Sequence, residues 1–323
     1  MQAIVMTATG EPEVLQTQEV PDPHPGVGEI LIRATAIPVL YAETLLRSGA
    51  FPIAGPPGAF GFQAAGSVLE AGAGVDPGLI GARVVVSTAG QGAYAEKVCV
   101  PAEFATIIPD GLATDAAAAV LMGGSVATAL LRRAGLTGGE TVLVPVATTG
   151  VGGYLTQLAR ESGASRVIAT ASAAKSDRAR ALGADEVIDH RAPDWPRRLR
   201  EILGDSTIDV VFETFGGDIA HDLLDVLTPL DGRMLGYGQL SGAPATIAAA
   251  DLHARGLTYT ACAGPEWLTR VATTRADVLD RAAAGRIEPL IDRILPLDQA
   301  AKAHRLVQNR ATTGTILLRP AAA

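Results

Sequence analysis

The stretch from Glu140 to Asp189 constrains this chain more than any other. Val142 to Val146 is an uncharged run that reads as a strand buried on both faces. Ala147-Thr148-Thr149-Gly150-Val151-Gly152-Gly153 then turns the chain into a helix with Val151, Leu155 and Leu158 at apolar positions. A second apolar run, Val167 to Ala171, follows at the distance of a crossover helix, so the unit reads as βαβ with parallel strands. Small residues in the turn let backbone approach a ligand closely, and free N–H groups at the helix start favour an anion such as a pyrophosphate. Thr148, Thr149, Gly150, Val151 and Gly152 are therefore expected to contact a dinucleotide. Of the glycine places in G-x-G-x-x-G only Gly152 is filled, the others holding Ala147 and Thr149, so a tight turn that binds no nucleotide stands as the alternative on this stretch alone.

A chain of 323 residues, 48% hydrophobic and 19% charged, describes a globular protein long enough for two domains. Its net charge of -8 argues against nucleic acid or an anionic membrane as partner. No basic stretch precedes an apolar run at Met1, so no signal peptide is expected. The uncharged, strongly apolar run Ala116 to Leu131 is short for a membrane span and reads as a buried helix. Cys99 and Cys262 lie far apart in strand-like settings, which disfavours a disulfide framework and fits a reducing cytoplasm.

Residues 1 to about 120 have a different texture. Short β-like runs (Ala3 to Met6, Glu29 to Thr35, Gly66 to Leu69, Arg83 to Ser87, Tyr94 to Val100) alternate with turn clusters such as Pro21 to Gly26 and Ala54 to Gly58. They predict a mostly antiparallel β domain with one helical stretch around Ala42 to Arg47. Beyond Asp115 the pattern turns helical and then alternates, with candidate parallel strands at Thr141 to Val146, Arg166 to Ala171, Glu186 to Ile188, Ile208 to Glu213, Arg233 to Tyr237 and Leu257 to Ala261. Six such strands are what two mononucleotide-binding halves need. After Gly264 the spacing predicts an amphipathic helix over Val271 to Ala284, a strand Leu290 to Leu295, a helix Asp298 to Gln308 and a strand Thr315 to Arg319. This tail is too small to be a domain and is expected to pack on the N-terminal one.

The order of these parts resembles the medium-chain dehydrogenase/reductases, in particular their zinc-free quinone oxidoreductase and enoyl reductase branch. The resemblance is carried by Gly28-Glu29-Ile30-Leu31-Ile32-Arg33, Leu46-Arg47-Ser48-Gly49, Gly61 to Glu70, Gly81-Ala82-Arg83-Val84, Gly92-Ala93-Tyr94-Ala95-Glu96, the βαβ unit with Leu182-Gly183-Ala184-Asp185, Gly216-Gly217 and Gly314. It implies an α/β protein: a GroES-like β domain over 1–120, completed by 265–323, and a doubly wound Rossmann domain with a six-stranded parallel sheet over 121–264. Where zinc members carry Gly-His-Glu this chain reads Gly61-Phe62-Gln63, and none of His24, His190, His221, His253 and His304 lies at ligand spacing from another. No metal site is expected.

An NAD site places an acid at the end of the second strand, but here Thr170-Ala171-Ser172 is followed by no acid until Asp177, with Lys175 and Arg178 nearby. Ser172 joins this cluster, and the resemblance implies that Lys175, His190 and Arg310 surround a 2′-phosphate. A dianionic phosphate needs such cations, so NADPH is the expected coenzyme. The alternative is that Lys175 and Arg178 only solvate a helix start.

The resemblance further implies a nicotinamide flanked by Leu40-Tyr41, Val126, Phe215-Gly216-Gly217 and Gly236-Tyr237-Gly238, so Phe215 and Tyr237 are expected coenzyme contacts. The implied reaction is hydride addition to an electron-poor C=C bond of an enone, quinone or enoyl thioester. Tyr41 is the candidate catalytic residue, a phenol able to donate a proton to the α-carbon, its alternative being a pocket wall. Leu40, Glu43, Val126 and Thr149 depart from the asparagine, aspartate, threonine and glycine that relatives carry. Those departures keep open an NADPH-binding member recruited to cyclisation or regulatory binding. Gly123-Gly124-Ser125-Val126-Ala127 is a near miss for a nucleophile elbow, in a helical run with no strand before it. Leu257 to Cys262 is expected at a sheet edge, where relatives pair across a two-fold axis, implying a homodimer. The paucity of charge in the pocket loops (Leu40, Phe51 to Phe60, Gly264 to Leu268) suggests a small neutral or apolar substrate.

Overall fold

The computed structural model describes residues 1–52, 58–88 and 90–321, and separates into two compact units, Met1–Met122 with Arg275–Ala323, and Gly123–Thr274. The predicted turn cluster at Ala54 to Gly58, and with it part of the predicted Phe51 to Phe60 pocket loop, lies largely outside the described residues.

The second unit is the parallel sheet that the alternating pattern predicts. Its strands are β1 (Thr141–Val144), β2 (Arg166–Thr170), β3 (Glu186–Ile188), β4 (Val210–Glu213), β5 (Arg233–Gly236) and β6 (Thr258–Ala261). They are all parallel, in the order β3-β2-β1-β4-β5-β6. The order reverses between β1 and β4, which is where doubly wound sheets bind ligands beyond their carboxyl ends. Val142, Leu143, Val144, Val210, Val211 and Phe212 are fully buried, as strands covered on both faces require. Leu143, Ile168, Val211 and Met234 pack on Trp195, Leu199 and Leu203 of the helix Trp195–Leu203. β1 stops two residues short of the predicted Val146, because Pro145 has no N–H to donate to the ladder and Val146 turns to φ 53°.

Among the described residues, the strands of the first unit pair antiparallel apart from one parallel pair. Glu29–Val39 lies at its centre, flanked by Gln63–Ala71, Lys97–Pro101 and Thr315–Arg319. The C-terminal strand thus enters the N-terminal sheet, with Ile316, Leu317 and Leu318 facing Val39, Pro38 and Ile37, and Ile291–Pro296 adds on parallel beyond it. Ile30, Ile32, Ile37, Ile316 and Leu318 form its core with Phe60 and Tyr94.

The helix predicted over Val271 to Ala284 is two helices, Pro265–Ala272 and Arg275–Ala283. Thr273 and Thr274 interrupt it: their hydroxyls donate to the carbonyls of Arg270 and Val271, and Thr274 also reaches the Ser125 carbonyl at 3.0 Å. Such side-chain bonds compete with the helical ladder. The run Ala116 to Leu131 lies within the helix Thr114–Ala134, which is long and apolar enough to cross a membrane by length and composition, yet 67% of its apolar window is buried inside the protein.

Candidate functional site

The first βα turn is built for close approach. Thr170, fully buried at the end of β2, accepts the Val146 N–H on its hydroxyl at 3.2 Å and the Ala147 N–H on its carbonyl at 2.9 Å. Thr149 precedes the helix Gly150–Leu158 without capping it, so the amide donors of that first turn point at whatever lies before them. Gly152 is required sterically: a Cβ there would come 2.4 Å from the Val146 carbonyl oxygen and 2.7 Å from that of Pro145. This is the helix-against-strand glycine of a dinucleotide fold. The Thr156 hydroxyl bonds the Gly152 carbonyl at 2.8 Å from within the helix.

Beside it, Ser172 is 7% exposed and its carbonyl accepts the Lys175 N–H at 2.8 Å, closing the turn Ala173–Lys175. An acid does reach this turn, though not from β2. Asp189, just past β3, accepts the Ala173 N–H at 3.1 Å and the Arg191 N–H at 2.9 Å. The Arg191 amide leads the effects that hold its carboxyl below the usual range, with neighbouring His190 contributing. Both carboxylate oxygens thus engage backbone amides of this turn and its own, a tie that sequence reasoning missed. The His190 ring lies 5.7 Å from that of Phe215, which lies 6.1 Å from that of Trp195. Ser172, Lys175, His190 and Phe215 are therefore linked around the carboxyl ends of β2, β3 and β4.

The turn after β4 is similarly tight. Gly216 has φ 72°, and a Cβ on it would meet the Ala243 carbonyl oxygen at 2.2 Å. Glu213, fully buried, accepts the Gly216 N–H at 2.8 Å, and burial raises its carboxyl pKa. Tyr237 donates its N–H to the Glu213 carbonyl, and its phenol is held protonated by burial, with Thr214 as hydrogen-bond partner.

Tyr41 and Arg310 belong to the other unit. Tyr41 is the half-buried first residue of the helix Tyr41–Ser48, its carbonyl bonded by the Thr44 hydroxyl at 2.7 Å. Arg310 is exposed just past the helix Ala300–Gln308, at φ 55°. Two residues beyond Tyr41 lies a cluster that no motif announces. The Glu43 carboxylate, fully buried, accepts the N–H groups of Leu40 at 2.7 Å and Phe62 at 2.8 Å and the Tyr94 hydroxyl at 2.6 Å. His304 Nε2 lies 3.1 Å from that hydroxyl. Burial raises the Glu43 carboxyl to about 7 and lowers His304 to about 3. His304 is thus a buried histidine hydrogen-bonded to Tyr94.

At the place of the zinc ligands, the Phe62 N–H is bound by Glu43 and the Gln63 side-chain amide donates to the Ala118 carbonyl at 2.9 Å. Among the described residues no group of three or more His, Cys, Asp and Glu is placed to hold a metal ion. Ser125 is 1% exposed inside the helix Thr114–Ala134, not on a strand-to-helix elbow, and burial raises both cysteine thiols to about 11. Ser125 thus does not sit in a nucleophile elbow, and the two thiols are held protonated by burial.

Residues 26–110 match the family described as alcohol dehydrogenase GroES-like domain, and residues 182–318 that described as zinc-binding dehydrogenase. A quinone oxidoreductase of Pseudomonas aeruginosa is 32% identical over 98% of this chain and 99% of its own length. This chain belongs to the medium-chain dehydrogenase/reductases, in their quinone oxidoreductase branch. To this member a 2-haloacrylate reductase of Burkholderia sp is 31% identical, over 99% of both chains. The crystal structure of Escherichia coli quinone oxidoreductase complexed with NADPH superposes with a TM-score of 0.88 at 32% identity, covering 99% of this chain and 100% of that one. The GroES-like and Rossmann architecture implied by the motif order is the one observed.

Proposed function

We propose that this protein is an NADPH-dependent, metal-independent oxidoreductase acting on the electron-poor C=C bond of a small neutral or apolar enone, quinone or enoyl thioester. The first βα turn carries the reading. Its fit to a dinucleotide rests on the space reserved at Gly152, the uncapped helix start at Thr149–Gly150 and the cationic Lys175 turn next to them. Relatives named for quinone and haloacrylate reduction, one solved with NADPH, support the same chemistry.

Thr148, Thr149, Gly150, Val151 and Gly152 would hold the pyrophosphate, Ser172, Lys175, His190 and Arg310 the 2′-phosphate, and Phe215 and Tyr237 the nicotinamide end. When bound, the reduced nicotinamide supplies the hydride. The chain's own task is to fix fixed-direction donors where negative charge grows on the substrate's carbonyl oxygen, and to deliver a proton to the α-carbon. Tyr41 is the proposed proton donor, a phenol that loses its proton as that carbon gains it. The donor sets at Gly61-Phe62-Gln63 and the scattered histidines support hydride transfer without a Lewis acid. β6 ends the sheet with a half-exposed edge, which supports a homodimer paired through Thr258–Ala261.

The test is a panel of quinones, enones and enoyl thioesters scored by loss of NADPH absorbance. Saturable oxidation with at least one class is expected. NADPH binding with no oxidation by any class would move the protein to a non-reductase role.

A further inference from the structure

We infer that Glu43 is a positioning residue for the reaction, a buried carboxylate whose charge holds the Leu40–Tyr41 corner in place. The inference rests on the proposed place of Leu40 and Tyr41 beside the reacting groups.

Three chain segments converge on this one side chain. Glu43 reaches back to the Leu40 N–H at the start of the helix Tyr41–Ser48, across to the Phe62 N–H and on to the Tyr94 hydroxyl. Both oxygens are used, and every group they meet is a donor. That pattern fits a carboxylate, which only accepts, and misfits a carboxylic acid, which must also donate. Leu40 has no polar side chain to cap its helix, so the Glu43 bond to its amide is what fixes the entry of that helix. A fourth segment closes the cluster. His304, on the helix Ala300–Gln308, stands 3.1 Å from the Tyr94 oxygen, and the Phe60, Tyr94 and His304 rings pack edge to face at 5.5 to 5.8 Å.

The direction of the bonds follows from the inventory of protons. With Glu43 ionised, the Tyr94 O–H donates to Glu43 and the Tyr94 oxygen receives the His304 Nε2–H. Protonating Glu43 leaves its new O–H one suitable acceptor in the cluster, the Tyr94 oxygen. Tyr94 must then swing its own proton to His304 Nε2, and His304 must carry its hydrogen on Nδ1 instead. No covalent bond other than O–H and N–H is involved, and the proton count rises by the one taken up. The Leu40 and Phe62 amides then share a neutral acid in place of a full charge, and their bonds weaken.

Among the described residues, the titratable and charged groups around Glu43 are few. Tyr94 faces it from the bend that precedes the strand Lys97–Pro101, His304 from the helix Ala300–Gln308, and Arg47, also fully buried, sits one turn further along Glu43's own helix, bonded to the Gly10 carbonyl and the Gln308 side chain. Glu11 acts on Arg47 from outside. Burial holds Glu43 up at about 7, His304 down at about 3 and the Tyr94 phenol well above its usual value, so in the neutral range the proton enters and leaves through Glu43.

The experiment pairs two readouts on the full-length protein. Amide hydrogen exchange of the Leu40 to Leu46 and Phe60 to Gln63 segments, corrected for intrinsic rates, is followed from about pH 5.5 to 8.5 alongside kcat for NADPH oxidation and the NADPH Kd. In wild type, kcat is expected to rise through a midpoint near pH 7, and with it the protection of the Leu40 and Phe62 amides against local opening in which Glu43 stays buried, whereas protection limited by global unfolding falls over the same range. Glu43→Gln should show low protection at every pH, a kcat lowered on the order of tenfold or more with its neutral inflection gone, and an NADPH Kd within about twofold of wild type. Tyr94→Phe keeps both backbone bonds but removes the one that favours the ionised form, so its midpoint should move to higher pH with the fold intact. That second variant decides the matter if Glu43→Gln does not fold. Wild-type protection and pH profile in Glu43→Gln, or an unmoved midpoint in Tyr94→Phe, would overturn the inference. Absence of any NADPH oxidation in wild type would instead overturn the functional reading, while the exchange data still decide whether Glu43 holds the corner.

Discussion

The Val146 amide donates to the Thr170 hydroxyl at 3.2 Å while Val146 itself is held at φ 53°. A β-branched residue in this region is strained by roughly 1–3 kcal/mol. The bond from β2 is one of the restraints that keeps it there, and the reward is a turn narrow enough to bring backbone to a ligand. Val146→Gly is therefore expected to raise stability by up to about 1 kcal/mol, since relief of strain exceeds the entropy that glycine adds to the unfolded chain. Thr170→Val, which keeps the shape and loses the hydroxyl, should lower it by about 1 kcal/mol. Urea denaturation of both variants checks the pair, and a destabilised Val146→Gly would show that the turn is not strained.

Glu43 and His304 pull the pH dependence of stability in opposite directions. The folded-state pKa of Glu43 is raised from 4.5 to about 7, so its contribution is complete below the unfolded value and is lost as pH rises through about 7. At ~1.4 kcal/mol per unit this amounts to about 3 kcal/mol. His304 is lowered from 6.5 to about 3, so the folded state refuses a proton that the unfolded chain takes, and stability grows as pH climbs between those values. Relative to wild type, His304→Asn should lose stability with rising pH across this window, and Glu43→Gln should gain it between about 4.5 and 7. Denaturant melts in steps across that range measure both slopes, and parallel curves for all three proteins would refute the assignment.

Tyr41→Phe separates proton donor from pocket wall. Loss of the donor is expected to lower kcat by about 10²-fold or more while the NADPH Kd stays within about twofold. Single-turnover kinetics with an accepted enone provide the readout. An unchanged kcat removes Tyr41 from the chemistry.

The sheet edge at β6 makes the fourth prediction. Among the described residues, Thr258–Ala261 pairs as a strand on one side only, with β5. Sedimentation at micromolar concentration is expected to give the mass of two chains, and Thr260→Pro, which removes a ladder donor, to shift it towards one. A single-chain mass for wild type would leave the edge as a surface.

Much of this architecture was legible because buried parallel strands advertise themselves. Glu186–Ile188 and Thr315–Arg319 have the predicted bounds, since apolar β-branched residues there are hemmed by polar turns. Leu15–Glu19 was missed for the converse reason: four of its five residues are exposed, and Gln16, Thr17, Gln18 and Glu19 carry no apolar period. Thr273 and Thr274 look helix-compatible in sequence, and only their carbonyl bonds reveal the break. The glycine turn could be read because Gly152 answers a local steric demand. Asp189 at the Ala173 amide, and Glu43 with Tyr94 and His304, could not, since residues 16 to 210 positions apart are brought together by tertiary packing alone.

The most direct test of the account is titration calorimetry of NADPH and NADH against wild type and Lys175→Ala. Wild type is expected to bind NADPH more tightly than NADH. Lys175→Ala should weaken NADPH on the order of 10- to 100-fold, the worth of a charge-assisted bond, and leave NADH unchanged. No heat with NADPH, equal affinity for the two coenzymes in wild type, or equal weakening of both in the variant would contradict a phosphate-reading coenzyme site at this turn.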